Sequence, residues 1–327
     1  MDYVLQCTKC SRRAKDESQF RCGSCNSILE VKYDYSKLDL PKKFRGKKAS
    51  NKKYLPFLPV KALSAGLGEG GTPLVRKHFG DLGGVSLLMK LETLNPTRSF
   101  KDRGSAVEIT KAADLGFSEV ACASTGNMGM SIAYYARKAG IKSTIFISSG
   151  ANKSKIAMIK KYGAKVVKVN GDFNYALKMS EKFALSKPVF LCGDYHYRKE
   201  GQKTVIFEIL DQLGTTPDFI FLPVGNATLL SAAYKGLAEY KMLGWIRRLP
   251  KIVAVQSSAC APFVKAYNRK EKIGYIRPKT IADAIAVGYP TFGDQGISAI
   301  KKTKGFAISV PDSAIASAAR FLYKNGV

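Results

Sequence analysis

Histidine and tryptophan are almost missing from this chain, with two and one respectively in 327 residues. His78 and His196 are the only imidazoles, and no nucleophile motif stands beside either, which leaves a Ser-His-Asp hydrolase without support. Acidic residues are scarce as well: 25 Asp and Glu face 53 Lys and Arg, a formal net charge of +28. A charge of that size draws nucleic acid or small anions, or simply keeps a surface solvated. Most of the basic residues stand singly along amphipathic stretches, as on a solvated face. The densest run is 37–53, where eight of seventeen residues are Lys or Arg. Long apolar stretches are lacking, and none reaches the roughly 20 residues of a membrane-spanning helix. No charged-then-apolar leader opens the chain, so it is read as cytoplasmic with no membrane partner. Seven cysteines in that setting argue against a disulfide framework.

Four of those cysteines have a different explanation. Cys7 and Cys10 form one CxxC pair, Cys22 and Cys25 a second, with eleven residues between the pairs. Two residues between cysteines let both thiolates reach one tetrahedral metal while backbone amides point at the sulfurs. Gly23 suits the tight turn of the second pair. So short a segment has few apolar residues, and a metal would supply most of its stability. Four protein ligands close the coordination sphere, so the expected zinc is structural. Cys122, Cys192 and Cys260 lie among apolar residues and read as buried thiols. His196 reads as a surface residue and Trp245 as packing.

Beyond the basic run, strand and helix patterns alternate. Apolar runs expected as buried parallel strands fall at 85–91, 120–123, 143–147, 165–169, 219–224, 252–255 and 306–310. Helical patterns fall at 103–115, 128–138, 153–162, 175–185, 201–213, 229–242, 261–269 and 313–324. The alternation predicts an α/β protein with mainly parallel sheets.

In such sheets ligands gather at the carboxyl ends of strands, where loops run into helix N-termini. Three loops so placed are unusual. One is LNPTRSFKDRG at 94–104, which puts Lys101 at a helix start, where the dipole disfavours a cation. A lysine tied up as an imine removes that conflict. A second is STGNMG at 124–129, whose glycines allow close backbone approach and whose Asn127 offers an amide donor. The third is PVGNAT at 223–228, where small residues present successive backbone amides to an anion. Each alone is a weak signal.

Together, in this order, they resemble the fold-type II pyridoxal-phosphate enzymes, and among those the threonine synthase family. CGSCNSILEVKYDYSKL at 22–38 resembles that family's zinc-ribbon exit, and GEGGTPL at 68–74 its opening segment. LNPTRSFKDRG matches its lysine motif, and RKEGQKTVIFE at 198–208 and KTIADAI at 279–285 are similar to further signatures. The resemblance implies a two-domain, tryptophan synthase beta-like α/β fold with a small zinc ribbon at 1–35. It implies a large cofactor-binding domain from 36–98 and 200–327, and a small α/β domain from 99–199. Lys101 becomes the Schiff-base lysine and proton shuttle, and Asn127 the partner of the cofactor's ring hydroxyl. Gly225, Asn226, Ala227 and Thr228 become the phosphate loop. Thr97, Ser99 and Arg198 become candidates for the substrate's anionic groups, Arg198 because a guanidinium forks onto phosphate. The implied reaction converts O-phospho-L-homoserine and water to L-threonine and phosphate in a homodimer, with pyridoxal phosphate as cofactor and zinc as structural metal.

The match has departures. Met128 stands where the family commonly has a hydroxyl residue, and Cys192-Gly193 replaces its usual Asn-Ser. Thr228 and Leu229 replace the second glycine and asparagine of the commonest phosphate loop. The chain stops at Val327, before a segment that the resemblance would place beside the cofactor's pyridine nitrogen, and a truncated gene is the expectation. These departures keep two alternatives open: a related pyridoxal-phosphate enzyme such as a cysteate synthase or threonine ammonia-lyase, or a non-catalytic relative binding a partner through the ribbon.

Overall fold

The structure, a computed structural model, describes residues 3–37, 51–80, 83–124, 126–149 and 153–326. Residues 38–50 of the basic run and Thr125 of the second loop lie outside the described residues. The chain forms two compact units, Met1–Thr215 and Thr216–Val327. The domain boundary expected at 199/200 falls inside a continuous helix.

The first unit opens with two short strands, β1 (Tyr3–Cys7) and β2 (Leu29–Tyr33), paired antiparallel from Tyr3↔Tyr33 to Cys7↔Leu29. Next comes a hairpin of β3 (Leu74–Phe79) and β4 (Val85–Lys90). Here the structure corrects the sequence reading. The apolar run at 85–91 predicts a buried parallel strand, but β4 is antiparallel to β3, and Val85, Leu87 and Leu88 are exposed. Apolar character alone does not report strand direction.

The core of the unit is a parallel sheet in the order β7-β6-β5-β8, from β5 (Glu119–Ala123), β6 (Lys142–Ser148), β7 (Lys165–Val169) and β8 (Phe190–Cys192). Period-2 alternation sorts its residues into two cores. Val120, Cys122, Ile145 and Ile147 face one cluster with Ile109, Ile132 and Tyr135. Ala121, Ala123, Phe146 and Leu191 face the other, with Ala176. Helices α1 (Lys101–Asp114), α2 (Asn127–Lys138) and α3 (Lys153–Lys161) follow the expected patterns closely. So does α4 (Phe173–Ser186), capped by Asp172 accepting from the Tyr175 amide at 2.9 Å.

Helix α5 runs from His196 to Leu213, starting five residues before the expected 201. Gly201 reads locally as a helix start, yet it lies inside α5 because α1 crosses there. A Cβ at Gly201 would overlap the Arg103 carbonyl oxygen. Tertiary approach, not local propensity, sets this glycine.

In the strand order, β6 lies on one side of β5 and β8 on the other. That reversal opens a crevice at the carboxyl ends of β5 and β8, the place where open α/β sheets bind ligands.

The second unit has a parallel sheet β11-β10-β9, with β10 (Lys251–Ser257) central between β9 (Phe219–Pro223) and β11 (Phe306–Val310). Helices α6 (Thr228–Met242), α7 (Pro262–Arg269), α8 (Gly293–Lys302) and α9 (Asp312–Lys324) accompany it. Helix α8 has no counterpart among the sequence expectations; its two glycines, Gly293 and Gly296, mask it. Gly296 packs so closely that a Cβ there would lie 2.7 Å from the Phe263 ring.

Candidate active site and metal centre

Lys101 is the first residue of α1, and its place is fixed by the preceding loop. Arg98 adopts a left-handed backbone (φ 61°), turning the chain so that its amide donates to the Asn95 carbonyl at 2.8 Å. Asp102 ties down the far side, accepting from the Thr97 amide at 2.6 Å and the Thr97 hydroxyl at 2.5 Å. It also accepts from the Ser131 hydroxyl on α2 at 2.5 Å. Burial raises the Asp102 carboxyl above its ordinary range, against these hydrogen bonds. Ser99 Oγ accepts from the Lys101 amide at 3.3 Å. Thr97 and Ser99, both expected at the substrate, thus bond within the lysine loop itself.

The Lys101 amine lies 4.6 Å from the centre of the Phe100 ring. Burial lowers its pKa; the Asp194 carboxylate opposes this and the Arg198 guanidinium adds to it. A lysine so placed holds more of the neutral, nucleophilic form than an exposed one.

Arg198, in the first turn of α5, is fully buried. Its Nη1 donates to the Lys101 carbonyl at 3.1 Å and its Nε to the Gly193 carbonyl at 3.1 Å. Nη2 donates to Ser105 Oγ at 3.2 Å and pairs with Glu108 Oε2. The other Glu108 oxygen accepts the Gly193 amide at 2.8 Å. Glu108, Arg198 and the Gly193 peptide form a closed ring that ties the end of β8 to α1. Gly193 meets this demand at φ 145°, where side-chain residues are strained. Burial pushes the Glu108 carboxyl up to about 7, against the pull of Arg198 and the Gly193 amide. Arg198 was expected at the substrate; its guanidinium is instead engaged by protein groups through all three nitrogens.

Glu108 was missed in the sequence. The available signal was its spacing: seven residues after Lys101, two helical turns along the same face, in an otherwise small or apolar run. His196, read as a surface residue, is buried with its ring 4.2 Å from that of Tyr197. Cys122, Cys192 and Cys260 are buried as expected, and burial raises all three thiols.

The second loop places Asn127 as the first residue of α2, directly after β5. The Gly126 amide donates to Ser124 Oγ at 3.3 Å, and Met128 is buried. Since β5 and β8 are neighbours, Asn127 and Gly193 both follow the carboxyl edge at the switch point.

A second ion cluster supports the lysine helix from below. Arg103, fully buried, bonds Glu92 through Nε and Nη2 at 2.7 Å each, and Glu208 through Nη1 and Nη2 at 2.8 Å each. Thr72 Oγ1 donates to Glu92 at 2.6 Å, and the Gly71 amide to Glu208 at 2.9 Å. The segments GEGGTPL, LNPTRSFKDRG and RKEGQKTVIFE, far apart in sequence, therefore meet at one guanidinium.

In the second unit, the loop 224–228 leads into α6. Ala227 takes a left-handed backbone at the cap (φ 61°), the turn that aims amides along the helix start. Asn226 Oδ1 accepts from the Thr291 amide and hydroxyl, each at 3.3 Å. Thr228 Oγ1 is buried without a hydrogen-bond partner among the described residues. A hydroxyl left so at a helix N-terminus suits a phosphate, and the loop fits the phosphate end of the expected cofactor.

The four ribbon cysteines converge. Their sulfurs all lie within 4.8 Å of one another, with Cys7–Cys25 at 3.4 Å, Cys10–Cys22 at 3.5 Å and Cys10–Cys25 at 3.6 Å. A tetrahedral zinc with bonds of about 2.3 Å spaces its sulfurs by roughly 3.8 Å. The two pairs fold alike: the Ser11 amide donates to the Cys7 carbonyl and the Asn26 amide to the Cys22 carbonyl. The left-handed residues are Ser11 (φ 58°) and Asn26 (φ 55°), one after each pair, so Gly23 is not what makes the turn. The Lys9 and Cys10 amides point at Cys7 Sγ, both at 3.4 Å. Amides of Ser24 and Cys25 lower the Cys22 thiol, while the Cys10 thiol, against its backbone hydrogen bond with Arg12, is raised by desolvation and the neighbouring thiols. The cluster is compatible with one structural zinc.

Comparison with known proteins agrees with this geometry. Residues 66–327 match the family model described as pyridoxal-phosphate dependent enzyme. The chain is 40% identical to a threonine synthase of Methanosarcina acetivorans, over 98% of this chain and 81% of that protein. It is 39% identical to a threonine synthase of Methanocaldococcus jannaschii, over 98% and 82%. Among solved structures it is similar in fold to maize serine racemase (TM-score 0.66, 22% identity, 77% of this chain and 75% of that one). A threonine deaminase of Solanum lycopersicum is also similar in fold (TM-score 0.67, 21% identity, 88% and 84%). The chain belongs to the pyridoxal-phosphate dependent enzymes, and within them to the threonine synthase family.

Proposed function

We propose that this protein is a threonine synthase that converts O-phospho-L-homoserine and water to L-threonine and phosphate. The observation that carries the reading is Lys101: a half-buried lysine whose pKa is lowered by desolvation, at a helix start held by Asp102 and Arg198. Relatives of near-full-length similarity bearing that activity support it. Lys101 would carry the pyridoxal phosphate and move the proton, Asn127 would meet the cofactor's ring hydroxyl, and Gly225, Asn226, Ala227 and Thr228 would take its phosphate. When bound, the cofactor supplies an electron sink for the carbon next to the substrate's amino group. The rest is the work of the chain. Burial keeps the Lys101 amine ready to accept a proton, and the Arg198 bond to its carbonyl keeps the helix start from drifting. Thr97 and Ser99 present the lysine loop to the substrate. The reading also takes the chain as a cytoplasmic homodimer acting on a small amino-acid phosphate, with no membrane helix among the described residues.

One observation favours a second reading. Glu108 already pairs with Arg198, the group expected to grip a phosphate. A pyridoxal-phosphate lyase or synthase acting on another amino acid, such as threonine ammonia-lyase, fits that pairing. Purified protein given phosphohomoserine and, separately, threonine decides between them. Phosphate and threonine appearing together, and lost in Lys101→Ala, is the expected result. Ammonia and a keto acid from threonine, with no phosphate released from phosphohomoserine, would overturn the first reading.

A further inference from the structure

The cysteine ribbon lies against the helix that carries Arg198. Taking Arg198 as the reference direction around α5, Glu200 and Lys203 point to the opposite side and Tyr197 and Lys199 to its two flanks, at 100° per residue. Each of these meets the ribbon or a residue bonded to it. Tyr3 Oη lies 3.2 Å from Tyr197 Oη, which donates to the Glu17 carbonyl at 2.9 Å. Lys199 Nζ donates to Glu30 Oε1 at 2.5 Å. Tyr33 Oη donates to Glu200 Oε2 at 2.9 Å, and the same oxygen accepts Lys203 Nζ at 2.6 Å. The Lys203 ammonium in turn lies 4.6 Å from the centre of the Tyr33 ring. Just ahead of the helix, Tyr195 Oη donates to Glu181, which also accepts Arg21 Nε at 2.7 Å.

Glu200 and Lys203 are fully buried charges, and Tyr33 supplies a hydrogen bond to that pair from outside the helix. A bare surface module would not need such contacts. Their effect is to press α5 onto α1, where Gly201 allows the backbones to touch and Arg198 reaches the Lys101 carbonyl. Rolling α5 by about 10° would carry an atom some 6 Å from its axis by about 1 Å, enough to lose a 3.1 Å hydrogen bond.

We propose that Tyr33 and Glu30 are positioning residues for Lys101, acting through α5 and Arg198, so that the ribbon sets the geometry of the active site as well as its own fold. The proposal rests on the reading of Lys101 as the cofactor lysine. Both act through α5, so they are positioning residues and not catalytic ones.

The test uses the zinc-loaded holoenzyme with Tyr33→Phe, Glu30→Ala and the pair combined. Thr8→Ala is the control, because Thr8 Oγ1 bonds only the Ile28 carbonyl within the ribbon. Zinc per chain, kcat, KM and the pH titration of the lysine-bound cofactor's visible absorbance are measured for each. The expected result for the double variant is a roughly tenfold fall in kcat, a shifted absorbance titration, and an unchanged zinc content. Glu30→Gln, which keeps an acceptor for Lys199, should recover most of the loss, and Thr8→Ala should match the wild type. A double variant with wild-type titration and kcat overturns the proposal, as does a Thr8→Ala variant that shifts equally. If a variant folds too poorly to assay at kcat, the single Tyr33→Phe decides by the same titration. If the wild type shows no visible absorbance with the cofactor, the reading of Lys101 fails by itself. The pH profile of Lys101 acetylation then tests the brace alone, and a profile unchanged in the double variant overturns it.

Discussion

Replacing Glu208 with glutamine tests whether the Arg103 cluster holds the lysine helix in place. Glu208 has no exposed side-chain surface, and it accepts from Arg103, Lys90 and the Gly71 amide. Burial raises its carboxyl, but Arg103 and Lys90 win and pull it from the ordinary 4.5 down to about 2. That depression corresponds to about 3 kcal/mol of stability, at roughly 1.4 kcal/mol per pH unit. Because the folded state holds the depressed value, this stability is fully present above about pH 4.5 and is lost as pH falls towards about 2. A glutamine there would keep one acceptor but turn an NH2 group towards Arg103 and Lys90, donor against donor. At pH 7, Glu208→Gln should therefore lose about 3 kcal/mol, roughly a hundredfold in the folding constant. The two proteins should converge as pH falls to about 2. Urea unfolding between about pH 2 and 7, read by circular dichroism, gives the difference across the titration; amide exchange in α1 and α5 peptides localises it to the first unit. A loss under about 1 kcal/mol at pH 7, or parallel acid slopes in the two proteins, would refute the assignment.

Thr228→Val should have opposite effects on two measurements. Removing a buried hydroxyl that lacks a partner stabilises the cofactor-free protein or leaves it unchanged, while pyridoxal-phosphate affinity by equilibrium dialysis falls about tenfold. Gly201→Ala should cost about 3 kcal/mol or more, because the new Cβ meets backbone rather than a movable side chain; thermal unfolding at wild-type stability would contradict the close crossing. One zinc per chain is expected by metal analysis, lost in Cys22→Ser together with the ribbon's amide protection.

The central strands β5, β6 and β10 were legible because they are buried on both faces and read as nearly unbroken apolar runs. β4 was misread for the same reason: an exposed hairpin strand can carry the same residues, and direction depends on a partner elsewhere in the chain. β8 is only three residues long and α8 is interrupted by glycines, so neither leaves a clear period. The start of α5 was misplaced because Gly201 speaks for a boundary locally and for a helix crossing in three dimensions. The four cysteines of the metal cluster were legible to the residue, since a CxxC pair needs only local geometry to place two sulfurs. Lys101 stands out in the sequence through its motif, while the groups that hold its loop and helix start come from α2, α5 and the residue after β8, which nothing in the local pattern joins.

Arg198 shows why a residue type and its place in a motif do not settle its task. A guanidinium near an active lysine has two uses for its five donors, and the sequence offers the same letter for both. What separates them is the nearest carboxylate, and Glu108 is two helical turns from Lys101 on a different helix from Arg198. With Glu108 beside it, the geometry of Arg198 is fixed before any ligand arrives. The Arg198 charge still reaches Lys101, where it adds to the lowering by burial while Asp194 opposes it. The pair therefore sets two properties of one lysine: its position, through the carbonyl bond, and its proton affinity, through the field. Substituting Glu108 would disturb both at once. Substituting Tyr33, which carries no charge and reaches Lys101 only through α5, would shift the lysine's titration only as far as its position changes, and the contrast between the two variants separates geometry from direct charge at this site.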